Sequence, residues 1–125
     1  MVLDGLYYTK EHEWAKVDGE IATVGITDYA QSELGDVVYI ELPSDGKSVS
    51  VGDAFSTIEA VKAVSDVYSP VSGEIIEVHK ELATAPDLIN KDPYGDGWII
   101  KVKMSNPDDL KNLLSADEYR KLIGE

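Results

Sequence analysis

Asp53-Ala54-Phe55-Ser56-Thr57-Ile58-Glu59-Ala60-Val61-Lys62-Ala63-Val64-Ser65-Asp66-Val67-Tyr68-Ser69-Pro70-Val71-Ser72-Gly73-Glu74 is the stretch whose reading decides the fold. Ala54 to Ala60 reads as a strand opened by the Gly52-Asp53 turn. Lys62 sits at the tip of the hairpin that follows. The Pro70-Val71-Ser72-Gly73 turn then leads into a further strand, Gly73 to His79, with Ile76 and Val78 on one face. Lys62 is the one basic residue between Lys47 and Lys80. An arbitrary lysine on a strand only lays its stem on apolar surface and keeps its ammonium in water. The surroundings of Lys62 give it more meaning than that.

Outward from this hairpin the chain remains mostly strand. His12 to Val17, the Asp18-Gly19 turn and Glu20 to Ile26 form an N-terminal hairpin. Thr27 caps a short helix, Asp28 to Leu34, that stops at Gly35. Asp36 to Leu42 alternates, with Val38, Ile40 and Leu42 on one face and Val37, Tyr39 and Glu41 on the other. Val49 to Asp53 is a short strand-and-turn unit. Glu81 to Gly97 reads as loop. Trp98 to Met104 reads as a strand with Trp98, Ile100, Val102 and Met104 in the core. Asn106-Pro107-Asp108-Asp109 starts a helix whose apolar face is Leu110, Leu113 and Leu114. Ser115-Ala116-Asp117-Glu118 is a capping box for a last helix carrying Tyr119, Leu122 and Ile123. Short strands at this spacing predict a mainly β sandwich or barrel, with the C-terminal helices packed on its outside.

Composition narrows the function. The 125 residues suit one domain. A formal charge of −13, from 24 acidic and 11 basic side chains, argues against nucleic acid and against an anionic membrane. There is no cysteine, so disulfides, thiolate metal sites and a cysteine nucleophile are out. No apolar run approaches the roughly 20 residues of a membrane span. Residues 1–20 lack a basic-then-apolar signal layout, so a cytoplasmic location is expected. Ser32, Ser56 and Ser65 have no triad context. His12 is expected to be a packed or surface imidazole beside Trp14, and no metal site is expected.

A lysine at a hairpin tip with a Pro-x-x-Gly turn beyond it resembles the lipoyl- and biotinyl-carrier domains. Separated blocks along nearly the whole chain resemble the glycine cleavage H-protein family. They are Tyr8-Thr9-Lys10-Glu11-His12-Glu13-Trp14, Thr23 to Ala30, Leu34 to Pro43, Ile58 to Glu74, Asp92 to Trp98, and Glu118-Tyr119. One departure is Ala60, where the family usually has serine. Methionines flanking the lysine, usual in biotinyl carriers, are replaced by Val61 and Ala63.

The resemblance implies a flattened, lipoyl-domain-like β-barrel sandwich with an N-terminal hairpin, a short helix and C-terminal helices. It implies one carrier domain over residues 1–125, with a lipoyl-bearing core at about 20–104 and a helical segment at about 106–123. By the same resemblance Lys62 carries lipoic acid as an amide, a change that removes its positive charge. The chain would then be a non-catalytic lipoyl carrier. It would take the aminomethyl group of glycine from the P protein (glycine decarboxylase) to the T protein (aminomethyltransferase). Its reduced arm would return to the L protein (dihydrolipoyl dehydrogenase). Glu13 and Asp66 would dock the loaded arm, though each also reads as an ordinary surface acid. Glu59 and Ala63 would be read by a lipoate ligase or an octanoyl/lipoyl transferase. A monomer is expected. A lipoyl or octanoyl relay to other complexes would use the same lysine and is the alternative.

Overall fold

The computed structural model describes Met1–Glu125, and its nine strands form two antiparallel sheets. Six strands make the larger sheet: β1 (Tyr7–Tyr8), β2 (Glu13–Asp18), β3 (Ile21–Ile26), β5 (Ser48–Val49), β8 (Gly73–Val78) and β9 (Ile100–Met104). Their spatial order is β1-β2-β3-β9-β8-β5. The smaller sheet is β4 (Val37–Glu41), β6 (Ala54–Ala60) and β7 (Val64–Tyr68), in the order β4-β6-β7. Ala22, Val24, Ile100, Val102 and Ile75 of the larger sheet share one buried core with Ile40, Ile58 and Val67 of the smaller. The sheets do not close on each other, so the architecture is a flattened sandwich.

Local chemistry explains most boundaries. Helix α1 (Asp28–Leu34) starts at Thr27, whose hydroxyl accepts from Ala30 N, and stops at Gly35. The one-turn helix α2 spans Leu88–Lys91. Helix α3 (Ala116–Ile123) has the full capping box, with Ser115 and Glu118 each bonding the other's backbone. It lies outside the sandwich over a second core of Val2, Tyr8, Trp14, Ala116 and Tyr119. The Tyr8 and Tyr119 rings stack there at 4.6 Å and 5°. No helix is long and apolar enough to cross a membrane.

Several sequence expectations need correction. A bulge between Val37 and Tyr39 breaks the alternation of β4, so Val37 and Ile40 are buried while Val38 is 59% exposed. A second bulge, between Ile75 and Glu77, does the same in β8. There Ile75 and Val78 face the core, and Ile76 is 44% exposed. The stretch expected as loop holds a 3-10 turn over Lys80–Ala83 and helix α2, which bury Leu82 and Ile89. Trp98 precedes β9 and is half-buried, stacked on His79 at 4.4 Å with Lys101 over its ring. Asn106 does cap a helix, but Pro107–Asn112 winds as 3-10. Its leucines divide: Leu110 and Leu113 pack on the main core, and Leu114 on the second one.

The tightest backbone approach is at Gly73, where a Cβ would lie 2.0 Å from the Lys103 carbonyl oxygen on β9. A backbone atom cannot swing aside as a side chain can. Gly73→Ala should therefore cost about 3 kcal/mol by separating β8 from β9, read as a lower urea midpoint. A midpoint within error of the wild type would show that the two strands tolerate separation.

Candidate functional site

The hairpin tip is a two-residue loop, Val61-Lys62, closed by Ala60 N donating to Ala63 O at 2.9 Å. Helix α1 carries the tip from below. Lys62 N donates to Leu34 O at 3.1 Å, and Val61 N to Asp36 O at 2.9 Å. Gly35 lies between these acceptors with φ +78°, a left-handed conformation that glycine adopts without strain. A Cβ on Gly35 would also come within 3.2 Å of Lys62 Cγ. The lysine stem therefore runs along the bare backbone of the helix end. Lys62 is exposed, and its ammonium joins none of the ion pairs, which use Lys91, Lys101, Lys111, Arg120 and the N-terminus.

Beside the tip lies a cleft of about 290 Å³ between α1 and the β6–β7 hairpin. Glu13 and Asp66 both line it, so the structure brings together the two acids read as arm-docking residues. They differ in kind. Glu13 is only 2% exposed, which removes its reading as a solvated surface acid. Its Oε1 accepts from the Thr9 hydroxyl at 2.5 Å and its Oε2 from Tyr68 N at 3.2 Å. Burial pushes its carboxyl up to about 7, against the downward pull of those two bonds. Asp66 is an exposed acid whose Oδ1 accepts from Thr57 across the strand pair at 3.0 Å.

Glu59 is exposed on β6, in register between Tyr39 of β4 and Val64 of β7. Exposed Tyr39, Val61 and Val64 surround it with apolar surface. Ala63 is exposed next to the lysine. Glu59 and Ala63 thus lie outside the cleft, both exposed to solvent.

The site is thus an exposed lysine on a hairpin tip of a flattened sandwich, beside a cleft lined by Glu13 and Asp66. The sequence profile of the family described as Glycine cleavage H-protein matches residues 6–125. The chain belongs to this family. The Glycine cleavage system H protein of Carboxydothermus hydrogenoformans is 55% identical over 120 residues, 96% of this chain and 92% of the relative. The mitochondrial one of Pisum sativum is 56% identical over 124 residues, 99% of this chain and 75% of the relative. A crystal structure of the Mycobacterium marinum H protein superposes with a TM-score of 0.91 at 36% identity, covering 99% of this chain and all of that one. The function is that of the family, a lipoyl carrier of the glycine cleavage system.

Besides His12, the cleft contains residues to which the sequence reading gave no role: Glu11, Tyr29, Ala30 and Glu33. Tyr29, Ala30 and Glu33 recur at helical spacing on α1, a signal that was available. His12 was expected beside Trp14, but its ring packs on Tyr29 at 4.8 Å and its Nδ1 lies 2.8 Å from the Tyr119 hydroxyl. That pairing spans 107 residues, so no local pattern carries it.

The raised Glu13 carboxyl has a consequence for stability. Its ordinary value is 4.5 and its folded value about 7. Below 4.5 both states hold the proton and Glu13 contributes no pH dependence. Between these values the unfolded chain releases the proton while the folded one keeps it, so stability falls as pH rises. The Glu13→Gln variant lacks this loss. Its stability relative to wild type should improve between pH 4.5 and 7, by on the order of 3 kcal/mol at most. Parallel urea-melt profiles for the two proteins across that range would count against a perturbed Glu13.

Proposed function

We propose that the chain, acting as a single domain, is a non-catalytic carrier whose lipoyl group is joined as an amide to Lys62. The observation that carries the proposal is the tip itself. Lys62 is exposed, bound to no carboxylate, and raised on a two-residue loop beside a cleft holding a buried carboxyl. Apart from its backbone support nothing hinders an enzyme from reaching the amine, because its neighbours Ala60 and Ala63 are small. The residues fit the group. The lysine stem has a track along Gly35, and the cleft runs from α1 to Glu13. Lipoic acid attached there supplies a disulfide that is reduced as the aminomethyl group of glycine is taken up.

Glu13 and Asp66 dock the loaded end. The carried amine is cationic near neutral pH, and Glu13 has two hydrogen-bond donors but no cation of its own. An ammonium entering the cleft would favour the ionised carboxyl and draw its pKa down from about 7. The walls of the cleft would exclude water, which otherwise hydrolyses the loaded arm. Glu59 and Ala63 serve recognition by the enzyme that attaches the group, a ligase or an octanoyl/lipoyl transferase. The P, T and L proteins are the successive partners of a monomeric, cytoplasmic carrier. The relatives named above are glycine cleavage proteins, which favours this reading over a lipoyl relay.

Intact mass tests the attachment. Protein from its native cell should carry a lipoyl increment that Lys62→Arg abolishes. An unmodified wild-type mass during growth on glycine would refute the assignment. Docking is tested separately: Glu13→Gln should accept lipoylation normally yet hydrolyse its loaded arm about tenfold faster, as loss of a charged hydrogen bond predicts. An unchanged lifetime would remove Glu13 from the docking site.

A further inference from the structure

We propose that Tyr119, on the C-terminal helix, is a positioning residue for the arm cleft. Its hydroxyl joins His12 to Thr27, holding the turn that delivers Glu13 against the helix that forms the facing wall. The proposal rests on the reading of this cleft as the docking site of the arm.

Tyr119 is completely buried, and its ring is fixed by stacking on Tyr8. Its hydroxyl lies 2.8 Å from His12 Nδ1 and 2.7 Å from Thr27 Oγ1. The phenol has one proton, so it can donate to one of these atoms and accept from the other. Thr27 is equally buried and its Oγ1 accepts from Ala30 N at 3.2 Å, capping α1. His12 immediately precedes Glu13, and its carbonyl accepts from Thr27 N at 3.0 Å. The Tyr119 hydroxyl therefore closes a ring of bonds around the junction of the turn and the helix.

His12 has the one positive φ outside glycine, +72°. A residue held there persists only where its surroundings over-determine it. The bond to Tyr119, the bond from Thr27 and the contact with Tyr29 supply that determination. Burial pushes the imidazole down against the upward pull of Glu11 and Glu33, which favours the neutral ring, whose Nδ1 can donate to or accept from the Tyr119 hydroxyl. Two of the cleft's sides meet at this junction. His12 and Glu13 form one, and Tyr29, Ala30, Glu33 and Leu34 of α1 form another. The β6–β7 hairpin closes the cleft with Ile58, Asp66 and Val67. Neither Tyr119 nor Thr27 lines the cleft, so each acts through the residues it holds.

Tyr119→Phe removes the hydroxyl and keeps the stacked ring. In the unlipoylated full-length chain, a ¹³C titration of the Glu13 carboxyl should show its midpoint moving down toward the ordinary carboxyl range as water enters. In lipoylated, loaded protein, hydrolysis should quicken roughly three- to tenfold, the range one buried hydrogen bond supports. His12→Asn removes the ring while keeping a residue tolerant of left-handed backbone, and should move the Glu13 midpoint the same way. It provides the test if the Tyr119 variant fails to fold. A lower melting temperature with the Glu13 midpoint and the loaded lifetime unchanged would make Tyr119 a plain brace and overturn the proposal. Should Glu13→Gln alone leave the lifetime unchanged, the docking reading falls. The titration of unlipoylated Tyr119→Phe still decides whether Tyr119 positions Glu13.

Discussion

Burial of the Glu13 carboxyl is the constraint on which the rest of the site depends. A carboxyl taken out of water must either be hydrogen-bonded throughout or hold its proton. Here the donors come from two places. The Thr9 hydroxyl belongs to the turn before β2, and the Tyr68 amide to the end of β7. Glu13 itself opens β2 of the larger sheet, and Tyr68 closes β7 of the smaller. One side chain thus ties the two sheets together at one end of the sandwich. Neither donor is a cation, so the two bonds only partly offset the burial that raises the carboxyl to about 7.

Helix α1 is the second fixed point. Its first turn is capped by Thr27, and its last carbonyl, Leu34 O, together with Asp36 O just beyond it, holds the backbone of the lysine tip. Asn90 from α2 reinforces its far end by donating to Gln31 Oε1 and the Gly35 carbonyl, while its own oxygen accepts from Val37 N. The tip is therefore exposed but not loose. Its ammonium is unpaired while its stem lies along Gly35 and its backbone is bonded to the helix end and to itself. That combination presents one amine at a constant position on the protein.

Legibility in the sequence followed the range of the interaction. Thr27, Gly35 and the Ser115–Glu118 box act within one helical turn, and reading them locally placed their helix ends. The alternation of β9 was readable for the same reason. The bulges at Val38 and Ile76 were not, because an extra residue in one strand is defined only by its partner. The short helices over Lys80–Ala83 and Leu88–Lys91 were missed because Pro86, Pro93 and Gly95 outweighed a weak apolar pattern. What they bury, Leu82 and Ile89, shows that packing supplied the stability that propensity lacked.

Among the site residues, Lys62 stood out by its isolation and by the blocks around it, and Glu13 and Asp66 by their places within those blocks. The sequence by itself determined the strand-rich class, the helix boundaries set by caps, the lysine at the hairpin tip and the family. The first three reside in residue type and short spacing, and the family in a resemblance over separated blocks along nearly the whole chain. Tertiary structure alone decided that Glu13 is buried while Asp66 stays exposed. It also decided that His12 meets Tyr119 and that α1 walls the cleft and supports the tip. Those facts depend on desolvation and on bonds between distant segments, and both exist only once the two sheets and the C-terminal helix have packed.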